Sequence, residues 1–282
     1  MPVTGLSLFG FLPKAIALGY LASECTGMGS IDRKNAYQSA VAKLGPPIAK
    51  AGHPEIRPIP PSHQPHLVAV TQDAQFARTL VGFNAFDWGL VEIDPLIGFQ
   101  LHISVERATE RAITDVSVAA MLPLCLPAGP MEVKAAWTIA GGPIAGSVTL
   151  LADSLNLTVL GPPIIPANGT VDPAAAIGPI LGVASDLVHV VDVGGRYYLR
   201  NGYHRAWALR KAGATHMPAL ILKASSYAQA QVPVQGFFPP VMVTGPNPPT
   251  LGHFTQDRAY PVTLRRARRR VRITWKIDAE RA

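Results

Sequence analysis

The segment from Tyr197 to Leu222 constrains the fold more than any other part of the chain. Its pattern predicts a strand, a tight turn, a helix and a second strand in immediate succession. Gly202 supplies the turn, Gly213 is a typical residue to end the helix, and His216 to Leu222 is apolar enough for a buried strand. Strands that alternate with a helix in this way predict an α/β protein.

The start of this helix predicts an anion-binding site. Backbone N–H groups in the first turn have no partner within the helix and carry the positive end of its dipole, and Gly202 would let a ligand approach that backbone closely. His204 and Arg205 add side-chain donors, Asn201 is expected to orient the turn, and Tyr203 is expected to pack near it. The alternative is a tight turn whose helix exposes two polar side chains to water.

The segment from Asp186 to Leu222 resembles the ParB/sulfiredoxin superfamily. Members carry a short strand, a Gly-x-x-Arg-type phosphate loop, a helix and a returning strand with a Val-Pro-like pair; Gly202 to Arg205 and Met217-Pro218 occupy these places here. The resemblance implies a ParB/sulfiredoxin-like mixed-sheet core and a bound nucleotide, either ATP or CTP, with Mg²⁺ as companion ion.

The same resemblance implies further residues of the site. In the family a first strand, here Leu90 to Leu96, is followed by a Gln-x-Arg-type element and a helix, which Ser104 would cap. Gln100 and His102 occupy the Gln-x-Arg positions, with His102 in place of the arginine. We therefore predict that both contact the nucleotide.

The sequence argues against one known activity of the superfamily and is compatible with another. Sulfiredoxins carry a catalytic cysteine where this chain has Tyr203, so reduction of oxidised peroxiredoxin is excluded. Other relatives are phosphotransferases, which need a carboxylate to accept a substrate proton. Glu92 is the preferred candidate because it lies where the first strand ends. The other candidates are Asp94, Asp186 and Asp192.

The pattern predicts four regions along the chain. Residues 1–84 form a helical region with a proline-rich loop, residues 85–120 and 185–225 form the core, residues 121–184 form an inserted antiparallel β meander, and residues 226–282 form a proline-rich segment and a basic strand. In the insertion we expect three strands, with Asp153-Ser154 as a hairpin turn between the last two and a helix starting at Asp172-Pro173.

Six arginines near the C-terminus account for most of the net charge of +7. They can neutralise nucleic-acid phosphates, or they can form a solvated edge that discourages aggregation of strands. The second leading function is therefore that of a DNA-associated, non-enzymatic adaptor. The six residues are Arg265, Arg266, Arg268, Arg269, Arg270 and Arg272.

Composition limits the class of protein. With 48% hydrophobic and 15% charged residues, the 282-residue chain is expected to fold into a globular protein. Pro13 and Lys14 interrupt the apolar stretch from Leu6 to Ala22, so we expect a packed helix there and no membrane partner. Cys25 and Cys125 are far apart, which predicts reduced thiols in a cytoplasmic protein without a metal site.

Overall fold

The computed structural model describes residues 2–83, 85–129, 135–141, 145–152, 157–159, 181–183, 186–230, 237–265 and 269–276. The chain divides into two compact units. The first contains residues 1–129 and 187–266, and the second contains residues 130–186 and 267–282. The N-terminal region therefore belongs to the same unit as the predicted core.

The strands of both units, in chain order, are β1 (Val3–Ser7), β2 (Ile56–Arg57), β3 (Ala85–Glu92), β4 (Ile97–Gly98), β5 (His102–Ser104), β6 (Ala135–Gly141), β7 (Ala145–Ala152), β8 (Leu157–Val159), β9 (Leu181–Val183), β10 (His189–Val193), β11 (Arg196–Asn201), β12 (His216–Ala224), β13 (Tyr260–Leu264) and β14 (Arg269–Lys276). The α-helices are α1 (Lys14–Glu24), α2 (Ser30–Lys43), α3 (Gln64–Thr71), α4 (Ala74–Thr79), α5 (Val105–Thr109), α6 (Val118–Cys125), α7 (Tyr203–Lys211) and α8 (Pro240–Thr244).

The first unit is built on a six-stranded mixed sheet in the order β2-β3-β12-β10-β11-β4. Strand β12 runs antiparallel to β3 and parallel to β10, and β11 runs antiparallel to β10. This confirms the predicted α/β class. The predicted first strand begins at Ala85 rather than Leu90, where alternate residues Phe86 and Trp88 pack against Phe76.

Pro218 lies inside β12, the strand between β3 and β10, where a missing N–H group would normally weaken a sheet. The N–H of Leu220 donates to the Val188 carbonyl at 3.0 Å, on the β10 side. Backbone N–H groups two residues apart in a strand point the same way, so the nitrogen of Pro218 faces that side too. Strand β10 starts only opposite Leu220, so Pro218 deprives no residue of β10 of a ladder bond.

The N-terminal region packs into this unit through a second sheet, in the order β13-β1-β5. Helices α1 and α2 confirm the helices predicted in this region, and the apolar stretch that includes Leu8, Phe9 and Leu21 is buried in the common core. The N-terminal region therefore shares one core with the strands that follow residue 84. Pro65 lies in the first turn of α3, where proline is tolerated.

The second unit contains the inserted strands, but its pairing differs from the predicted meander. Strand β7 lies between β6 and the C-terminal strand β14, while β8 pairs with β9. The third meander strand is therefore replaced by β14, which is an edge strand as predicted. The hairpin turn Asp153-Ser154 and the helix predicted at Asp172-Pro173 lie outside the described residues.

No helix among the described residues has the length and apolar character needed to cross a membrane. Cys25 and Cys125 are both buried and unpaired with each other. Burial raises the pKa of the Cys25 thiol to about 11 and that of the Cys125 thiol to about 12.

Candidate anion-binding site

The turn before α7 has the backbone geometry predicted for it. Gly202 occupies the N-cap position with φ 105°, in the left-handed region that favours glycine. The N–H of Ala206 donates to the Gly202 carbonyl at 2.8 Å, which closes the first helical turn. The N–H groups of Tyr203, His204 and Arg205 precede that bond and have no acceptor within the helix.

Gly202 is required by the packing of the protein itself. A Cβ atom at this position would lie 2.8 Å from Cγ2 of Val188. The side of Gly202 that a side chain would occupy is therefore filled by Val188. The expectation that the glycine clears space there for a ligand is wrong.

Asn201 fixes the end of β11 just before the turn. Its amide nitrogen Nδ2 donates to the Leu187 carbonyl at 2.9 Å. This agrees with the predicted role of Asn201 in orienting the turn. Through this bond the chain entering β10 is held beside the start of α7.

Tyr203 joins the turn to the segment that contains Gln100. Its side chain is 4% exposed, and its hydroxyl donates to the Leu199 carbonyl and accepts the N–H of Phe99 at 2.7 Å. Gln100 directly follows Phe99 in the chain. The structure therefore brings Gln100 next to the helix, with its side chain half-buried.

His204 faces the cap of α5. Its Nε2 accepts the N–H of Ser104 at 3.2 Å, so the ring proton is on Nδ1, which makes no hydrogen bond within the described residues. Burial, assisted by neighbouring positive charges, lowers the pKa of His204 to about 3. Those charges come from Arg107, His102, Arg205 and Arg111.

Arg205 points to a different partner. Its side chain is 4% exposed, and Nη1 donates to the Leu124 carbonyl at 3.1 Å, near the end of α6. His204 instead contacts Ser104 at the cap of α5. The expectation that His204 and Arg205 converge on one ligand is therefore wrong.

His102 lies close enough to His204 for its charge to affect the pKa of that residue. Its Nδ1 is 3.0 Å from the Tyr20 hydroxyl, and its Nε2 makes no hydrogen bond within the described residues. Burial, assisted by the charge of Arg107, lowers the pKa of His102 to about 4. At neutral pH the ring is therefore uncharged.

Five basic residues lie near the N-terminus of α7, where the helix dipole is positive. They come from β5, from α5 and the turn after it, and from α7. Ser104 caps α5 with its side-chain oxygen, as predicted, and this helix ends at Thr109. We call the five residues the basic cluster: His102, Arg107, Arg111, His204 and Arg205.

His189 is a buried polar residue that sequence reasoning missed. It is 7% exposed, and its Nε2 has no hydrogen-bond partner among the described residues. Burial and the charges of Arg200 and Arg205 lower its pKa to about 3. The available signal was a single histidine in an apolar strand, preceded by Val188 and followed by Val190.

The structure does not bring Glu92 to this site. Its carboxylate accepts the N–H of Glu55 at 2.9 Å, and the residue lies opposite His216 in the β3–β12 pair. Strand β3 is three strand spacings from β11, which corresponds to about 14 Å. The predicted catalytic role of Glu92 next to a nucleotide therefore has no geometric support.

Two of the other candidate carboxylates also have structural partners. Asp94 forms a two-point ion pair with Arg210, in which Nη2 lies 3.1 Å from Oδ2. Asp192 accepts the N–H of Gly195 at 2.8 Å and pairs with Lys223 at 3.0 Å. These contacts stabilise the ends of β-strands and leave the carboxylates occupied.

The C-terminal arginines fall into both units. Arg265 follows β13 and is exposed, whereas Arg269, Arg270 and Arg272 lie in β14. Arg270 and Arg272 are exposed at alternate positions of the edge strand. Arg266 and Arg268 lie outside the described residues.

Comparisons with protein-family models, with curated proteins and with solved structures found no match to this chain.

Proposed function

We propose that this protein binds a nucleoside triphosphate, ATP or CTP, through its phosphate groups at the start of α7. The observation that carries the proposal is that Arg107, Arg111 and the imidazole of His102 all lie close enough to His204, in the first helical turn, to lower the pKa of His204. Guanidinium groups and imidazole N–H groups gathered in this way match the oxygen atoms of a polyanion, which accept hydrogen bonds from both.

The chemical types of the donors around His204 suit phosphate oxygens. The first-turn N–H groups of α7 and the Nδ1–H of His204 lie on one helix, and Arg107 and Arg111 add guanidinium groups, which bind phosphate in a bidentate way. The Nε2 atom of His189 has no hydrogen-bond partner among the described residues, and His189 lies close enough to Arg205 for that charge to lower its pKa. The resemblance of Asp186 to Leu222 to nucleotide-binding ParB-like domains supports the same ligand class.

Magnesium would accompany the nucleotide rather than occupy a protein site of its own. The described residues contain no group of three or more histidine, cysteine or carboxylate side chains that could hold a metal ion. Mg²⁺ commonly keeps several waters and takes most of its remaining ligands from substrate phosphates. The proposed activity is therefore binding, in which the nucleotide acts as a switch, with hydrolysis or transfer left to carboxylates outside those discussed above.

Titration calorimetry with ATP and CTP, with and without Mg²⁺, tests this proposal. Arg111→Gln is expected to weaken nucleotide binding about tenfold, because a charge-assisted hydrogen bond contributes about 1.5 kcal/mol or more. Lys34→Gln is the matched control, since it removes one exposed positive charge from α2. It should leave the affinity unchanged. Absence of heat and of a thermal shift with both nucleotides would contradict the proposal.

A second function is favoured by the edge strand of the second unit. Arg270, Arg272 and Lys276 are exposed and lie an even number of positions apart, which places them on one face of β14. We propose that this face contacts DNA phosphates.

A DNA-binding assay at several salt concentrations tests this second proposal. Each phosphate contact contributes roughly 0.9 to the slope of log affinity against log salt. Arg270→Gln combined with Arg272→Gln should therefore make the slope shallower by about two. Lys14→Gln combined with Lys34→Gln is the control of equal charge, and equal slopes in both variants would refute DNA binding through β14.

A further inference from the structure

A chain of three polar side chains runs from the N-terminal sheet to the basic cluster. The hydroxyl of Ser7, in β1, lies 3.1 Å from the Tyr20 hydroxyl, and the Tyr20 hydroxyl lies 3.0 Å from Nδ1 of His102. Ser7 and Tyr20 are buried, whereas His102 is half-buried. The chain exists because β1 pairs with β5, which sets Ser7 directly opposite His102.

The hydrogen atoms of this chain allow two arrangements. Ser7 has one hydroxyl hydrogen and two acceptors at 3.1 Å, the Tyr20 oxygen and the Leu101 carbonyl. In the first, Tyr20 donates to Nδ1 of His102, the ring proton is on Nε2, and Ser7 can donate to Tyr20. In the second, Tyr20 donates to Ser7, Ser7 donates to Leu101, Nδ1 carries the ring proton, and Nε2 is a bare acceptor.

One observation favours the first arrangement. The Leu101 carbonyl already accepts the N–H of Leu8 at 2.9 Å, so it does not depend on Ser7 for a partner. Burial raises the pKa of Tyr20, so its hydroxyl keeps its hydrogen and is a donor in both arrangements.

The ligand class then distinguishes the two arrangements. A phosphate oxygen accepts hydrogen bonds and repels a bare nitrogen lone pair, so only the ring with hydrogen on Nε2 can bind it. Each arrangement moves the hydrogens within the chain and changes no net charge. An anion that contacts Nε2 would therefore select the first arrangement, in which Tyr20 donates to Nδ1 of His102.

We propose that Tyr20 is a positioning residue for the phosphate site, whose hydroxyl, supported by Ser7, holds His102 with its hydrogen on Nε2, toward a phosphate oxygen. This inference rests on the proposed nucleotide-binding function. It also assigns a role to the N-terminal region, because β1 and α1 supply the two residues that prepare a ligand contact on β5.

Nitrogen-15 NMR of the imidazole rings in the full-length protein tests the inference, because it reports which ring nitrogen carries the hydrogen. In the wild-type protein with bound ATP, we expect His102 to be neutral with hydrogen on Nε2. Tyr20→Phe should populate both tautomers in the free protein and weaken ATP binding about threefold to tenfold. Tyr37→Phe is the matched control, since Tyr37 donates to the Leu12 carbonyl from another N-terminal helix.

The possible results distinguish a failure of the positioning role of Tyr20 from a failure of the proposed nucleotide-binding function. Hydrogen on Nδ1 of His102, or a doubly protonated ring, in the ATP-bound wild-type protein would overturn the positioning role even if Tyr20→Phe failed to fold. Equal ATP affinity and an equal tautomer in Tyr20→Phe and wild type would overturn it as well. If wild-type protein binds neither ATP, CTP nor inorganic phosphate, the proposed function fails, whereas the tautomer of the free protein still tests the hydrogen-bonded chain.

Discussion

Replacing Gly202 with alanine is expected to lower the free energy of unfolding by about 3 kcal/mol. The left-handed backbone at φ 105° costs an L-residue about 1–2 kcal/mol. Overpacking adds about 1–3 kcal/mol, because the new Cβ would lie 2.8 Å from Cγ2 of Val188. Urea unfolding followed by circular dichroism measures the loss.

Gly213 provides a control of the same conformation. Its φ is 96°, and a Cβ there would meet nothing within 4 Å. Gly213→Ala should therefore cost only the backbone term, about 1 kcal/mol. Val188→Ala combined with Gly202→Ala should recover part of the loss, because the clash is removed. Equal losses for the two glycine variants would show that Val188 does not fill the space beside Gly202.

Tyr203→Phe is expected to destabilise the protein by about 2–3 kcal/mol. The change removes one hydroxyl that serves both the Leu199 carbonyl and the Phe99 N–H. Leu199 and Phe99 are fully buried, so neither group can take water as a replacement partner. A buried polar group that loses its partner costs about 1–3 kcal/mol.

Chemical denaturation of Tyr203→Phe and Tyr37→Phe compares a buried hydroxyl with a half-buried one. Tyr37 donates to the Leu12 carbonyl at 3.2 Å, and water can replace that bond, so a loss below about 1 kcal/mol is expected. A loss for Tyr203→Phe as small as that for Tyr37→Phe would mean that its hydroxyl does not hold the Phe99 segment against α7.

The elements around α7 could be predicted because their signals are local. Gly202 and Gly213 mark the two ends of the helix, and the apolar run from His216 predicts β12 within one residue of its observed start. The capping role of Ser104 follows equally from its own sequence neighbourhood. In each case the residues that decide the structure lie within a few positions of each other.

The pairing of distant strands could not be predicted in this way. The Asp153-Ser154 signal favours a hairpin, yet β7 pairs with β14, whose residues lie more than a hundred positions away. A strand's pattern of alternation indicates which face is buried but does not identify the neighbouring strand. The predicted meander therefore failed while its first two strands were correct.

In the candidate site, too, the local sequence predicts some residues, whereas the roles of others depend on contacts between distant parts of the chain. His102 and His204 could be chosen from motif positions, but the divergence of His204 and Arg205 depends on where α5 and α6 pack. Ser7 and Tyr20 carry no local sign of a role, because their relation to His102 arises from the pairing of β1 with β5. The importance of His189 depends on the burial of its Nε2 atom without a hydrogen-bond partner in the described part of the chain, which the sequence does not show.

Because Val3 pairs with Leu264, β1 cannot complete its pairing with β13 until residue 264 has been synthesised. A ribosome adds about 5–20 residues per second, so one edge of the first strand waits roughly 10–50 s before its final neighbour emerges. During that time the nascent chain presents open backbone donors and acceptors, a feature that attracts unwanted pairing. Slow-translating messages and chaperone-poor hosts should consequently give lower yields of correctly assembled protein.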